Sequence, residues 1–308
     1  MATQRIFLGS AVSLGCTHLD GHVVIDNKPG VKQELIDELE SAANCQLLEA
    51  AQAGKLRGKL SWSGSNSYGK CGRLGMYQLK RRQYALGGDQ GPHMDEFMVD
   101  GVRFLAHMVR IIAPRRIQVM GLVRPQAIVY SDASFQQDFD ELPKEMQEPP
   151  RIGWVIMRHN LGDVPLGRSM ILPPEALQLF TPRKTQIFAC EAIAVPEALR
   201  FDGKAVAGRD VTWFIDNEAA CSSFIRGASR SEDVSEVVAI ALLMCQMLNT
   251  RIWFEWIDSD SNPSHRLSRA GIADAWAICQ GWSLQELSWE DQKVRRCTSL
   301  REWRWQVA

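Results

Sequence analysis

The stretch that most limits what this chain can become is residues 127–134, AIVYSDAS. Ala127 to Tyr130 are apolar or aromatic and include β-branched Ile128 and Val129. They predict a buried strand. Asp132 stands at its end among small residues. A carboxylate in that setting is costly unless it meets a cation or strong donors. Two more acids recur in similar places. Glu191 lies in the apolar helical segment QIFACEAIAV, and Asp216 ends a strand predicted over residues 211–215. Three such groups suit hard divalent cations, which prefer oxygen ligands. The bland alternative is that each acid merely caps a helix or accepts backbone N–H groups.

At 308 residues the chain is long enough for two domains, each with its own core. Hydrophobic residues at 45% and charged residues at 23% are ordinary for a soluble globular protein. No apolar run reaches the roughly 18 residues of a membrane span, so no membrane partner is expected. The N-terminus is a poor signal peptide, because polar residues interrupt its short apolar part. The eight cysteines contain no C-x-x-C pair, which argues against structural zinc. Reduced thiols and an intracellular location follow, with nucleus or cytoplasm left open. A net charge of −1 counts mildly against a uniformly basic nucleic-acid binder, although local basic clusters can still serve.

Before residue 114 the pattern is mainly helical. Residues 5–26 read as a β-hairpin around Asp20-Gly21. Helices are predicted near residues 31–43, 47–62, 68–86 and 95–113, the last with Met98, Val102, Leu105, Val109 and Ile112 on one face. Lys80, Arg81 and Arg82 are candidate phosphate contacts, and equally a solvated face. Residues 64–71 approach a P-loop, but Cys71 replaces the required Ser or Thr and the preceding segment is helical, so that reading fails. From residue 127 short strands take over, at 127–130, 153–157, 169–172, 211–215 and 251–257. Helices intervene at 186–200, 218–226 and 234–248. A kink or break is expected near Val195, because Pro196 follows it. This order predicts a mixed α/β sheet. The C-terminal Trp276, Trp282, Trp289, Trp303 and Trp305 read as a helix packing on the core, with a nucleotide-stacking surface as the alternative.

Six pieces in order carry a family resemblance: VYSDAS at 129–134, GWVI at 153–156, QIFACEA at 186–192, FIDNEAA at 214–220, GASRS at 227–231 and NPSHRLSR at 262–269. Together they resemble the ribonuclease H domain of a retroelement reverse transcriptase. FLGSAVSL at 7–14, KLRGKLSW at 55–62 and YGKCGRLG at 68–75 are similar to the palm end, thumb and connection just upstream. The resemblance implies a palm-end β-hairpin remnant over 1–30 and a mostly helical thumb/connection-like domain over 31–120. It further implies a ribonuclease H-like mixed sheet with flanking helices over 121–275 and a Trp-rich basic tail over 276–308. No Tyr-x-Asp-Asp polymerase motif is present, so polymerisation by this chain alone is not expected; a polymerase half is either supplied in trans or gone.

The chemistry so implied is two-metal hydrolysis of RNA in RNA–DNA hybrids, with Mg²⁺ or Mn²⁺. Asp132 would bridge both ions, Glu191 and Asp216 would complete the carboxylate set, and Asn217 would line the substrate path. Arg226 and Arg230 join the candidate phosphate contacts. The family usually carries Asp at the fourth residue of the motif at 262–269, as a metal ligand; here it is His265. Imidazole suits Mn²⁺ or Zn²⁺ better than Mg²⁺, so weakened, Mn²⁺-biased or lost activity is implied. His265 is otherwise an ordinary loop histidine, with Asp258 or Asp260 as substitutes. Two alternatives stand beside the nuclease. One is an inactive ribonuclease H-like module that only binds nucleic acid. The other is a 3′–5′ exonuclease of the same fold, which needs Asp-x-Glu on the first strand where Ser134 now stands.

Overall fold

Apolar alternation from residue 126 onward produces a six-stranded mixed sheet. The computed structural model describes residues 4–7, 10–14, 21–65, 70–88, 91–119, 124–136, 148–159, 162–289 and 299–307. The chain divides into two compact units, residues 1–123 and 124–308.

In the first unit, strands β1 (Gln4–Phe7), β2 (Ser10–Ser13), β3 (His22–Asn27) and β4 (Arg115–Gln118) pair antiparallel in that order. Helices α1 (Val31–Cys45), α2 (Ala50–Ser65), α3 (Arg73–Gln83) and α4 (Glu96–Ile111) lie between β3 and β4 in the chain. Their apolar faces share one core, including Leu35, Leu39, Leu56, Leu79, Met98, Val102 and Leu105. Asp95 caps α4 by accepting from Met98 N at 2.8 Å. Gly75 lets α3 approach α4: a Cβ there would fall 2.5 Å from Gly101 O. The sequence anticipates these helices but not β4, which lies in a short polar stretch after Pro114. Residues 4–7, 10–13 and 22–27 therefore belong to a four-stranded sheet completed by β4. The expected turn at Asp20 lies outside the described residues.

The second unit is built on β5 (Gln126–Ser134), β6 (Arg151–Arg158), β7 (Leu166–Ile171), β8 (Asp210–Ile215), β9 (Arg251–Trp256) and β10 (Ser283–Leu287). The sheet order is β10-β7-β6-β5-β8-β9. The β5–β6 and β6–β7 pairs are antiparallel; β5–β8, β8–β9 and β7–β10 are parallel. Helices α5 (Pro174–Leu177), α6 (Ile187–Val206), α7 (Glu218–Arg226), α8 (Glu232–Met247), α9 (His265–Arg269), α10 (Ala275–Cys279) and α11 (Leu300–Val307) flank it. Three antiparallel strands followed by two parallel ones, with helices around them, form the ribonuclease H-like mixed α/β sheet.

Alternation on β5 puts Ala127, Val129 and Ala133 into the main core, where they meet Ala189, Ile193, Trp213, Ile215 and Val237. The other face of β5 carries Ile128, Tyr130 and Asp132. Helix α6 is apolar nearly all round and buried from Ala189 to Leu199, as a helix sunk in a core must be. It corrects one expectation. The helix runs straight through Pro196, and its non-helical residue is Asp202, with φ −114° and ψ 17°. Burial of the residues around Pro196 outweighs the lost backbone bond. The residues after 275 also differ from a tail. Strand β10 extends the sheet, and Trp303 of α11 is buried in the main core. Trp303 is thus unavailable for stacking on a base.

Asp202 ties down β6 and β7 where Trp154 and Arg168 pair. Its Oδ2 accepts Trp154 Nε1 at 2.9 Å and lies 3.3 Å from Arg168 Nε. Trp154→Phe removes the indole donor from a buried, charged acceptor. The expected loss is about 1–3 kcal/mol of unfolding free energy, read from the urea midpoint with an unchanged denaturant slope.

Candidate metal centre

Two of the three acids are placed by sheet register alone. Ser131 of β5 stands beside Ile215 of β8. The next residues, Asp132 and Asp216, therefore emerge side by side from parallel strands. Parity puts both on the face away from the main core. Glu191 comes from the first turns of α6, which packs against the core face, and its Oε1 accepts Ala133 N at 3.1 Å. His265 opens α9, on the Asp132 side of the sheet. One ligand atom each from Asp132, Asp216 and His265 falls within 4.8 Å of the others. His265 Nδ1 lies 3.5 Å from Asp132 Oδ2.

Most polar atoms around this point are satisfied. Ser268 Oγ donates to Asp132 Oδ2, and Asn262 Nδ2 donates to Ser131 O at 3.1 Å. Three are not. Glu191 Oε2, Asp216 Oδ1 and His265 Nδ1 are buried without a hydrogen-bond partner. Buried oxygens with no donor are expensive, and a divalent cation is the group that would satisfy two carboxylates and an imidazole together. The donor set therefore fits an ion held by Asp132, Asp216 and His265, with the Glu191 charge beside it.

Helix α9 reaches the site because of a glycine. Gly153 of β6 pairs with Asp132, and a Cβ on it would fall 2.7 Å from Ser268 N and 2.8 Å from Leu267 Cβ. No larger residue lets α9 lie this close to the sheet. Asn262 fixes the approach to the helix, since its Oδ1 accepts both Ser264 N and Ser264 Oγ, at 3.1 and 2.6 Å.

The electrostatics follow from crowding. Asp132 is 1% exposed and Glu191 3%. Burial, then the Asp216 charge, raises the Asp132 pKa to about 7. Burial, then Asp132 and Asp216, raises Glu191 as well. His265 moves the other way: burial, then the Arg269 charge, lowers it, which favours a neutral ring with a free nitrogen lone pair.

The remaining sequence candidates separate. Asn217 caps α7, accepting Ala220 N at 3.0 Å, so its side chain holds the helix that starts beside Asp216. Arg226 and Arg230 are exposed, Arg226 about 13 Å of helix from that start. Arg82 corrects the phosphate-contact expectation. It is buried, and its guanidinium donates to Gly91 O and His93 O. Arg81 is tied to Asp95 and Gln78. Both serve the first unit; Lys80 alone of the three is exposed. Sequence reasoning missed Gly153, Asn262, Ser268 and Arg269, although all but Gly153 lie within the motif at 262–269. Their four- and three-residue offsets from His265, for Arg269 and Ser268, are the signal that was available.

No family model matches this sequence, and no curated protein matches it. Among solved structures, the N-terminal RNase H domain of a Mycobacterium tuberculosis protein, solved as a fusion with maltose-binding protein, is similar at 10% identity, covering 51% of this chain and 96% of that one, with a TM-score of 0.32. RNase H1 from the halophilic archaeon Halobacterium salinarum NRC-1 is similar at 13% identity, covering 45% of this chain and 90% of that one, with a TM-score of 0.30. The fold assignment rests on strand order and direction, not on these overlaps.

Two outcomes are expected of this site. Gly153→Ala forces α9 off the sheet. It should cost about 1–3 kcal/mol and abolish stabilisation by divalent cations in thermal melts. The second is a pH effect. Asp132 and Glu191 have raised pKa values when folded, so the native chain holds more protons than the unfolded one between about pH 4 and 7. Without cations, the contribution of these two acids should therefore be greatest at the acid end of that window and fall as pH rises through it, while His265 contributes the opposite slope. Melts in chelator across the window, repeated with Mn²⁺, should show this slope and its loss; a flat profile in chelator would contradict the charge crowding.

Proposed function

We propose that the second unit is a metal-dependent hydrolase of the RNA strand in RNA–DNA hybrids. The observation that carries this reading is the meeting of Asp132 and Asp216 with His265, the Glu191 charge acting on both acids, and buried oxygens of Glu191 and Asp216 left unpaired. Nothing in the fold needs three acids there, and their mutual repulsion opposes folding. A ribonuclease H-like sheet and the six sequence pieces at 129–269 support a phosphodiester as the substrate. A divalent cation held here would supply charge stabilisation on the phosphate and a water of lowered pKa. The chain's own residues do the rest. Ser268 fixes the orientation of Asp132, Ala133 N fixes Glu191, and the register of β5 with β8 fixes the spacing of Asp132 and Asp216. Recognition of a hybrid rests on phosphates and 2′-hydroxyls, with Arg226 and Arg230 as exposed phosphate contacts.

The retroelement origin, and a polymerase half acting in trans, belong to the same proposal and rest on the sequence pieces alone. One observation favours the second reading, a binding module without catalysis: His265 stands where a fourth carboxylate would complete a two-ion ligand set. Cleavage of an end-labelled RNA–DNA hybrid in Mg²⁺ and in Mn²⁺ separates the two. Asp216→Asn is expected to cut at least about 100-fold more slowly than wild type. Hybrid binding that survives chelator, with no cutting by wild type in either ion, would decide for the binding module.

A further inference from the structure

His265 changes the charge count of the site, and Arg269 changes it again. A four-carboxylate pocket can balance two divalent ions. This pocket holds three carboxylates and one imidazole. Residues 265 and 269 are four apart on α9 and so share one face of that helix, the face turned to Asp132. The other arginine of this helix is committed elsewhere: Arg266 lies over the Trp276 ring at 5.8 Å and 4.0 Å from Asp274. Arg269 is exposed and makes no hydrogen bond or ion pair among the described residues. Its charge acts on both Asp132 and His265. An unpaired guanidinium beside three acids, with no acid of its own, is placed for an anionic ligand. The independent sign that a cation also belongs here is Glu191, 3% exposed, whose Oε2 has no partner and whose charge couples to both Asp132 and Asp216.

We propose that this site holds one divalent ion, on Asp132, Asp216 and His265 Nδ1, and that Arg269 supplies at a bound phosphodiester the second positive charge that another ion would otherwise bring. The imidazole nitrogen makes that ion a borderline one of the Mn²⁺ class rather than Mg²⁺. Arg269 forms charge-assisted hydrogen bonds to a non-bridging phosphate oxygen, and it does so only when nucleic acid is bound. The proposal rests on the hydrolase reading for its substrate, but not for its ion.

The test counts ions. Mn²⁺ bound per full chain is measured by electron paramagnetic resonance, alone and with a saturating hybrid whose RNA strand is 2′-O-methylated and cannot be cut. Wild type is expected to bind one Mn²⁺ in both states, and His265→Asp two with the hybrid. His265→Ala is expected to bind Mn²⁺ at least about tenfold more weakly than wild type. Arg269→Ala should keep the single Mn²⁺ at wild-type affinity while cutting an unmodified hybrid about 100-fold more slowly, with partial rescue by Arg269→Lys. Two ions in wild type, or unchanged Mn²⁺ affinity in His265→Ala, would overturn the one-ion site. Unchanged cleavage in Arg269→Ala would overturn the role of Arg269. One Mn²⁺ bound through His265, in a chain that neither binds nor cuts hybrid, would leave the ion site standing. It would remove the hydrolase reading and the phosphate role of Arg269 with it.

Discussion

The repulsion among two buried carboxylates and the half-buried Asp216 is the constraint that organises the second unit. Asp132 and Glu191 are almost fully buried, and Asp216 adds its charge to both. In a medium of low effective dielectric such charges interact far more strongly than in water. The protein does not relieve this by moving the acids apart. Six consecutive residue pairs lock β5 to β8 and set Asp132 beside Asp216 whatever the pocket contains. The cost is held as charge rather than as backbone strain, and a cation can therefore remove it without rearranging the fold. Pre-organisation of this kind also benefits a reaction that develops negative charge, because no reorganisation is needed when the charge appears.

The fourth side of the pocket is made differently. Helix α9 has five residues, too few to be stable alone. It stays helical because Leu267 packs with Val155 and Ala277 against the outer face of the sheet, and because Ser169 Oγ donates to Leu267 O at 2.9 Å. The packing works only over Gly153. Sheet and helix thus contribute unequally: the sheet fixes two acids by register, whereas His265, Ser268 and Arg269 share the fate of one small contact. A change at residue 265 is easiest to accommodate on such an element, since it leaves the register of β5 and β8 untouched.

Legibility in the sequence followed the same division. The acids could be read because each ends or interrupts a recognisable apolar pattern, and period two places residues 132 and 216 on one face once the strands are adjacent. The mixed α/β class came from the alternation of strand and helix patterns along the chain. What could not be read depends on tertiary contact. Gly153 looks like any strand glycine until α9 lies across it. Pro196 signals a break that a fully buried helix overrides. Strand β10, SLQEL, has little β character of its own and exists because the β7 edge offers it a partner. Arg82 sits in the most basic run of its helix, Lys80-Arg81-Arg82, and it is buried, because two backbone carbonyls, of Gly91 and His93, accept its protons.

That last case bears on how the near-zero net charge should be understood. Many of the arginines here are spent within the fold. Arg168 meets Asp202, Arg183 meets Asp233, Arg200 meets Glu197, Arg251 meets Asp210 and Arg304 meets Glu236. Each pair contributes nothing to the surface field, so counting basic residues overstates what is left for a polyanion. The guanidiniums that remain exposed without an ion pair in the second unit, Arg226, Arg230 and Arg269 among the described residues, are few. Arg226 and Arg230 follow Asp216 in the chain, on helix α7 and on the turn after it, and Arg269 follows His265 on helix α9. A net charge of −1 is therefore compatible with a phosphate-binding face. Affinity for a polyanion depends on which cations lack an internal partner and where they stand, not on the net charge alone.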